Sequence, residues 1–402
     1  MNILFKIYCR TYQLCFKLAL PILPYRDPKI IDKISNIKDV IKENKKLKPI
    51  IVTDKTISKL GLANDLFKSL DEANISYVVY DNVVANPTTD NVNEALSLYK
   101  NSGCDSIIAF GGGSPIDCAK ALGALVVNPK KDLSKLKGIL HVRKKIPMLI
   151  ACPSTAGTGS ETTLAAVIVD SKTRHKYAIN DFPLIPSYAC LDESVCMTLP
   201  DAVVAQTGMD ALTHAIESYI GRSGNKRTRE DALEAIKLIF DNLLISYKDK
   251  TRESRKNMLI AAHKAGRSFS KAYVGYVHAL AHALGGKYNT AHGLANAVIL
   301  PIVLREYGKS IYKKMKRIAI YLGYATKSTD AKEACNLIIN KIEEYNRILN
   351  IPVHLKEIKD EDIKMMAAYA YHEANPLYPV PVLWSKEKLV QMYKKIGEES
   401  AE

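Results

Sequence analysis

Three of the chain's nine histidines fall in one short stretch, GYVHALAHALGGKYNTAHGLANAVILP, at residues 275–301. His278 and His282 are four apart, so on a helix they project from one face. His292 follows the pair Gly285-Gly286 and a polar turn, a combination that can end the helix and fold a third imidazole back. Three neutral imidazoles from a helix and the loop after it suit a borderline divalent metal, zinc or ferrous iron. The alternative is a helix whose histidines hydrogen-bond within a core. A metal would also need a carboxylate from elsewhere in the chain, so some distant segment must fold against this one.

GMDALTH, at residues 208–214, supplies such a segment, because Asp210 and His214 are four apart on one helix face. Two i,i+4 pairs and His292 then offer one carboxylate and four imidazoles. That is more than a four-coordinate catalytic site needs when one position stays open. One histidine is therefore an acid/base or a proton relay, and spacing does not say which.

The first half of the chain alternates short β-branched runs with helical stretches. Residues 48–53, 76–80 and 106–110 read as strands, and residues 60–72 and 90–101 as helices. Strands separated in this way indicate a parallel, doubly wound sheet, which binds ligands at its carboxyl edge. The third strand runs into Gly111-Gly112-Gly113-Ser114-Pro115, which lets backbone approach a ligand at a helix start and suits a pyrophosphate. After a strand at residues 147–152 comes PSTAGTGSET, whose hydroxyls and glycines suit phosphate and ribose contacts or a capped helix start. Asp54, at a strand end, can hydrogen-bond a ribose hydroxyl and repel a 2′-phosphate, or cap a helix. Residues 164–192 read as hairpin-like additions to the sheet. From Leu199-Pro200 onward helical periodicity replaces strands, and the domain boundary is placed there.

The remaining features exclude more than they assign. With 47% hydrophobic and 25% charged residues the chain has the balance of a globular protein, not a disordered one. Its net charge of +15 comes from short basic clusters mixed with acids, without a nucleic-acid-binding motif, so a solvated surface is expected and not a nucleic-acid partner. Eight cysteines without CxxC or regular spacing read as reduced thiols of a cytoplasmic protein. No GxSxG elbow supports a serine hydrolase. Residues 3–24 are apolar with Lys6, Arg10 and Lys17 interspersed, too short an uncharged run to span a bilayer. They are expected to dock on their own domain, with a membrane surface or a partner subunit as the alternatives.

These stretches closely resemble the iron-containing (group III) alcohol dehydrogenases. GGGSPIDCAK, PSTAGTGSE, GMDALTHAIE and HALAHALGGKYNTAHGLANAVILP stand in that family's order and spacing, and NPLYPVPVL at residues 375–383 is similar to its tail element. The resemblance covers residues 48–395. It implies a dehydroquinate synthase-like architecture: an α/β domain with a doubly wound, mostly parallel dinucleotide-binding sheet, then an all-helical metal-binding catalytic domain, with the active site in the cleft. The first domain is taken as residues 1–199, of which 1–25 are atypical for the family, and the second as residues 200–402. Carried over by position, Asp210, His214, His278 and His292 would hold Fe2+ or possibly Zn2+. His282 would be the nearby histidine that is not a ligand, and it is assigned here a catalytic place on the proton path between site and solvent. Gly112, Gly113, Ser114, Thr155 and Thr158, with Asn86 and Lys176, would line the cofactor, and Asp54 matches the acid of members that prefer NAD to NADP.

The activity so implied is hydride exchange between a primary alcohol/aldehyde pair and NAD(H) at a divalent metal, in a homo-oligomer, dimer or larger, with a small alcohol or aldehyde as partner. The alternatives are a polyol dehydrogenase (glycerol-type or 1,2-propanediol-type) of the same superfamily and a non-catalytic metal- or nucleotide-binding relative. The related glycerol dehydrogenases and dehydroquinate synthases differ from this chain in their metal-site sequences.

Overall fold

A computed structural model describes residues 1–173 and 175–397. The chain divides into two compact units, Pro24–Leu199 on the one hand and Met1–Leu23 with everything from Pro200 onward on the other. The opening helix, α1 (Ile3–Ala19), therefore belongs with the helical unit, whereas the sequence reading groups residues 1–25 with the α/β domain. The cause is a set of polar anchors. The Arg10 guanidinium donates to the carbonyls of Val380 at 2.8 Å and Pro381 at 3.1 Å. The Gln13 amide donates to those of Pro376 at 3.0 Å and Tyr378 at 2.8 Å.

The α/β unit runs β1 (Lys29–Ile31), α2 (Ile37–Glu43), β2 (Pro49–Val52), α3 (Lys55–Lys59), α4 (Asn64–Glu72), β3 (Val78–Tyr80), α5 (Thr89–Asn101) and β4 (Ser106–Gly111). It continues through α6 (Gly113–Val127), β5 (Gly138–Ile139), β6 (Met148–Pro153), β7 (Ala165–Val169), β8 (Lys176–Asn180) and β9 (Tyr188–Cys190). Six strands form one parallel sheet in the order β1-β9-β6-β4-β2-β3. PIIV of β2 and SIIAFG of β4 are buried at every position, as strands covered on both faces must be. Val92, Ala95 and Tyr99 of α5 join Ile116, Ala119 and Leu122 of α6 in the core against these strands. β7 and β8 are an antiparallel pair, but they join β5 in a separate three-stranded sheet instead of extending the main one. Ala166 and Ile168, at alternate positions of β7, are drawn into the core that α6 shares, which holds the pair away from the main sheet's edge. From this region only β9 enters the six-stranded sheet.

The helical unit continues with α7 (Asp201–Ile220), α8 (Lys226–Lys248), α9 (Arg252–Ala272), α10 (Tyr276–Tyr288) and α11 (His292–Tyr307). Then come α12 (Tyr312–Tyr321), α13 (Ala331–Ile348), α14 (Asp360–Ala374) and α15 (Lys386–Gly397). α7 is buried along most of its length, with α8, α9 and α11 packed around it. α10 does not stop at Gly285-Gly286. It runs through both glycines to Tyr288 and ends on Asn289, which takes the left-handed conformation at φ 57°. Interior glycines cost a helix only about 1 kcal/mol each, so a better terminator three residues on prevails. His292 is consequently the first residue of α11 and not part of a loop. Among the described residues no helix is long and apolar enough to cross a membrane.

Candidate active site

Asp210 and His214 on α7, His278 on α10 and His292 at the start of α11 each direct one potential ligand atom into a common space, all within 4.8 Å of one another. Asp210 Oδ1 is 3.8 Å from His214 Nδ1, 3.8 Å from His278 Nε2 and 3.5 Å from His292 Nε2. Burial lowers the pKa of His214 and His278, and for His278 the neighbouring imidazoles add to the effect, which favours the neutral form that metal ligation requires. Three acceptor atoms, Asp210 Oδ1, His278 Nε2 and His292 Nε2, converge on the Asn296 amide nitrogen at 2.7, 3.3 and 3.1 Å. An amide carries only two hydrogens and cannot serve three acceptors. His214 Nδ1 is buried without any hydrogen bond. Convergent lone pairs from one carboxylate and three imidazoles, three of the four groups buried, fit a divalent cation.

A second layer of hydrogen bonds holds these side chains. His278 Nδ1 donates to Glu217 Oε2 at 2.7 Å, which leaves Nε2 bare toward the cluster. Glu217 also accepts the backbone N–H groups of Gly275 at 2.9 Å and Val277 at 2.8 Å. Burial raises its pKa to about 7 against the pull of these donors. Glycines set the spacing. A Cβ on Gly275 would stand 2.6 Å from Glu217 Oε1, and one on Gly293 would stand 2.7 Å from the backbone carbonyl carbon of Gln206. Sequence reasoning missed Glu217 and Asn296, although the signal was present. Glu217 continues the Asp210–His214 face at i+7, and Asn296 stands at i+4 from His292.

His282 stays outside the group of four. Its ring stacks on His292 with centroids 5.0 Å apart, and its Nδ1 is 2.6 Å from Glu373 Oε1. The same oxygen accepts the Tyr378 hydroxyl at 2.7 Å. A half-exposed imidazole beside the cluster, tied to a carboxylate and a phenol, has the makings of a proton path.

In the α/β unit the expected cofactor residues gather at the carboxyl edge of the main sheet. Gly111, at φ +147°, lets β4 turn into α6, whose start at Gly112 has no side-chain cap. A Cβ on Gly112 would lie 3.6 Å from Thr155 Oγ1, and one on Gly113 would lie 3.2 Å from Thr158 Cγ2, so glycine loop and threonine loop face each other. The Asn86 N–H donates to Ser114 Oγ at 3.3 Å, and Lys176 Nζ donates to Asn86 Oδ1 at 2.7 Å. Asp54 follows β2, the neighbour of β4, and caps α3 by accepting from the N–H groups of Thr56 at 2.9 Å and Ile57 at 3.0 Å. Two groups on α6, the second fully buried, fasten the threonine loop. Asp117 accepts from Ser160 Oγ at 2.8 Å, and Lys120 Nζ donates to the carbonyls of Ser160, Thr163 and Ala165 at 2.7–2.9 Å. Neither Asp117 nor Lys120 stood out in the sequence, because a buried lysine is expected only once its acceptors are known.

The iron-containing alcohol dehydrogenase family matches residues 29–193, and the C-terminal domain of the Fe-containing alcohol dehydrogenases matches residues 204–397. The chain is 38% identical over 364 residues to alcohol dehydrogenase 4 of Saccharomyces cerevisiae, covering 90% of this chain and 94% of the yeast enzyme. It is 37% identical over 340 residues to lactaldehyde reductase of Escherichia coli K12, covering 84% of this chain and 89% of that enzyme. Among solved structures, 1,3-propanediol oxidoreductase superposes with a TM-score of 0.89 at 33% identity, over 92% of this chain and 99% of that one. Sulfoacetaldehyde reductase of Bifidobacterium kashiwanohense, solved in complex with NAD+, superposes with a TM-score of 0.82 at 25% identity, over 94% of this chain and 99% of that one. With two domain matches that together span nearly the whole chain and relatives of this identity and coverage, the protein is an oxidoreductase that belongs to the iron-containing alcohol dehydrogenase family.

Proposed function

We propose that this enzyme transfers hydride between a small primary alcohol or aldehyde and NAD(H), with Asp210, His214, His278 and His292 holding Fe2+ or Zn2+. The observation that carries the reading is the convergence of those four side chains, among which His214 Nδ1 is buried without a hydrogen bond. A divalent ion held there supplies Lewis acidity, which lowers the pKa of an alcohol hydroxyl or polarises an aldehyde carbonyl. Glu217 keeps His278 in the tautomer that ligation needs, and the Asp210 carboxylate offsets the ion's charge. His282, steadied by Glu373 and Tyr378, carries the proton between the reacting oxygen and solvent. Gly112, Gly113 and Ser114 offer backbone N–H groups to a pyrophosphate at the start of α6. Thr155, Thr158, Asn86 and Lys176 border the same cradle, and Asp54 disfavours a 2′-phosphate. A relative of similar fold binds NAD+, in keeping with that choice. The polyol reading rests on no feature of this site that the primary-alcohol reading lacks.

The same proposal includes a homo-oligomer, dimer or larger, for which β1 and β3, the edge strands of the main sheet, offer a place where a second copy can pair. It also includes a cytoplasmic setting, which suits eight cysteines that form no disulfide.

The test is aldehyde-dependent oxidation of NADH by anaerobically purified protein reloaded with ferrous iron or zinc, with NADPH in parallel. Activity should vanish on chelation and in His278→Ala. In His282→Ala, turnover should fall by about 10²-fold or more while bound metal stays near stoichiometric. Loss of the metal in that variant would make His282 a ligand, and inactivity toward aldehydes with metal and NAD both bound would refute the reaction.

A further inference from the structure

The larger apolar face of α1 points outward. At 100° per residue, Ile3, Leu4, Ile7, Tyr8, Leu14 and Leu18 fall within about 140° of the helix circumference, interrupted only by Thr11 and Cys15. These six side chains are 53% to 70% exposed, and Ile22 beyond them is 85% exposed. Such a helix would ordinarily turn its apolar side inward. Here the inner side is already engaged: Arg10 and Gln13 grip four carbonyls of residues 376–381, Phe5 stacks on Tyr371 and Phe16 packs edge-on against Tyr273, with Cys9 and Leu20 buried beside them. The apolar face is thus presented in a fixed orientation, and a contiguous patch of this kind marks a docking surface. α1 lies outside both stretches matched to the dehydrogenase family, and none of the residues assigned to the proposed reaction stands on it.

Charge selects the occupant. Exposed Lys6 and Lys17 run along one margin of the face, and the chain has no acidic residue before Asp27. Antiparallel pairing with a second copy would set Lys6 of one chain near Lys17 of the other, with no carboxylate on either helix to offset them. Anionic headgroups would neutralise both lysines while the six apolar side chains enter the acyl boundary. We propose that α1 lies flat on an anionic lipid surface and holds this enzyme there as a peripheral protein.

Flotation of the full chain with vesicles of phosphatidylcholine alone, and of phosphatidylcholine with about 30% phosphatidylserine, tests this. The chain should bind the anionic vesicles at least about tenfold better, and the difference should shrink as salt is raised. Ile7→Asp/Leu18→Asp should abolish binding and Lys6→Glu/Lys17→Glu should weaken it, with unchanged thermal midpoints showing that the fold is intact. An environment-sensitive dye on Cys15, the one exposed cysteine of the eight, should shift to the blue with anionic vesicles in the otherwise unaltered chain. Failure to float, equal binding to both vesicles, or no shift of the dye would overturn the proposal. So would a lipid-free dimer that falls apart in Ile7→Asp/Leu18→Asp, since a second copy would then own the face.

Discussion

Gly293→Ala should empty the metal site while leaving most of the fold's stability in place. Gly293 stands next to His292 at the start of α11, and it meets the backbone of α7 at Gln206, one turn before Asp210. An added Cβ would lie 2.7 Å from the Gln206 carbonyl carbon, and closer still to its oxygen, where ordinary contact is 3.4–4 Å. Helix backbone cannot swing aside as a side chain can, so α11 must retreat. A retreat of about 1 Å exceeds several-fold the roughly 0.2 Å tolerance of a metal–ligand distance. His292 Nε2, now 3.5 Å from Asp210 Oδ1, travels with it. Metal affinity should fall by on the order of 100-fold or more, whereas overpacking of this size costs folding only about 1–3 kcal/mol. Gly208→Ala is the control. It sits on α7 two residues before Asp210, but its Cβ would meet the side-chain ends of Leu243 and Met258, which can rotate. Competition with a chromophoric zinc chelator, alongside thermal melts, separates the two. The reasoning is refuted if Gly293→Ala holds zinc as tightly as the unaltered chain. It is equally refuted if Gly208→Ala loses zinc to the same degree, since general loosening would then explain both.

Three further outcomes follow from the same geometry. Glu217→Gln turns an amide N–H2 toward a site that already faces three N–H donors, and zinc binding should weaken by about 10–100-fold; unchanged affinity would remove Glu217 from the metal site. Asp54→Ser keeps a helix cap and deletes the charge, so the ratio of kcat/KM for NADPH over NADH should rise by about tenfold or more, the scale of a partly screened repulsion; an unchanged ratio would leave Asp54 as a cap alone. Burial lowers the Lys120 pKa to about 8 from an ordinary 10.5. Between those values the unfolded chain keeps a proton that the folded chain has released, so this group's contribution to stability rises with pH across that window. Denaturant melts should show the advantage of the unaltered chain over Lys120→Met growing from pH 8 to 10.5, and a flat difference would contradict the assignment.

What the sequence makes legible is periodicity, and what it conceals is partnership. Asp210/His214 and His278/His282 could be read because i,i+4 spacing survives without any knowledge of tertiary structure. β2, β4 and β6 could be read because strands buried on both faces are continuous apolar runs. The spacing rule also reached Glu217 and Asn296, but a helical Glu or Asn is usually on the surface, and only burial distinguishes these two. The attachment of α1 was beyond reach for a different reason. Arg10 and Gln13 bind main-chain carbonyls of residues 376–381, and carbonyls leave no trace in residue types. The end of α10 was misplaced because a glycine pair and an asparagine compete as terminators, and Asn289 is the one that adopts the left-handed turn.

The glycines around the metal site explain why three separate helices can meet the tolerance that coordination demands. Side-chain packing alone leaves helices free to shift, since rotamers relax around a displaced neighbour. Here every helix that carries a candidate ligand is seated at a glycine within three residues of that ligand: Gly208 for Asp210, Gly275 for His278 and Gly293 for His292. Gly293 rests on main chain, and Gly275 rests on a carboxylate that two backbone N–H groups hold in place. Such contacts yield far less than rotamers do. The seats of α10 and α11 are both parts of α7, the Glu217 carboxylate and the Gln206 carbonyl, so the three helices are keyed to one another, whereas Gly208 faces the ends of Leu243 and Met258, which can rotate. Small adjustments between apo and metal-loaded states should therefore carry α7, α10 and α11 together against Leu243 and Met258 instead of shifting Asp210 or His214 relative to His278 and His292.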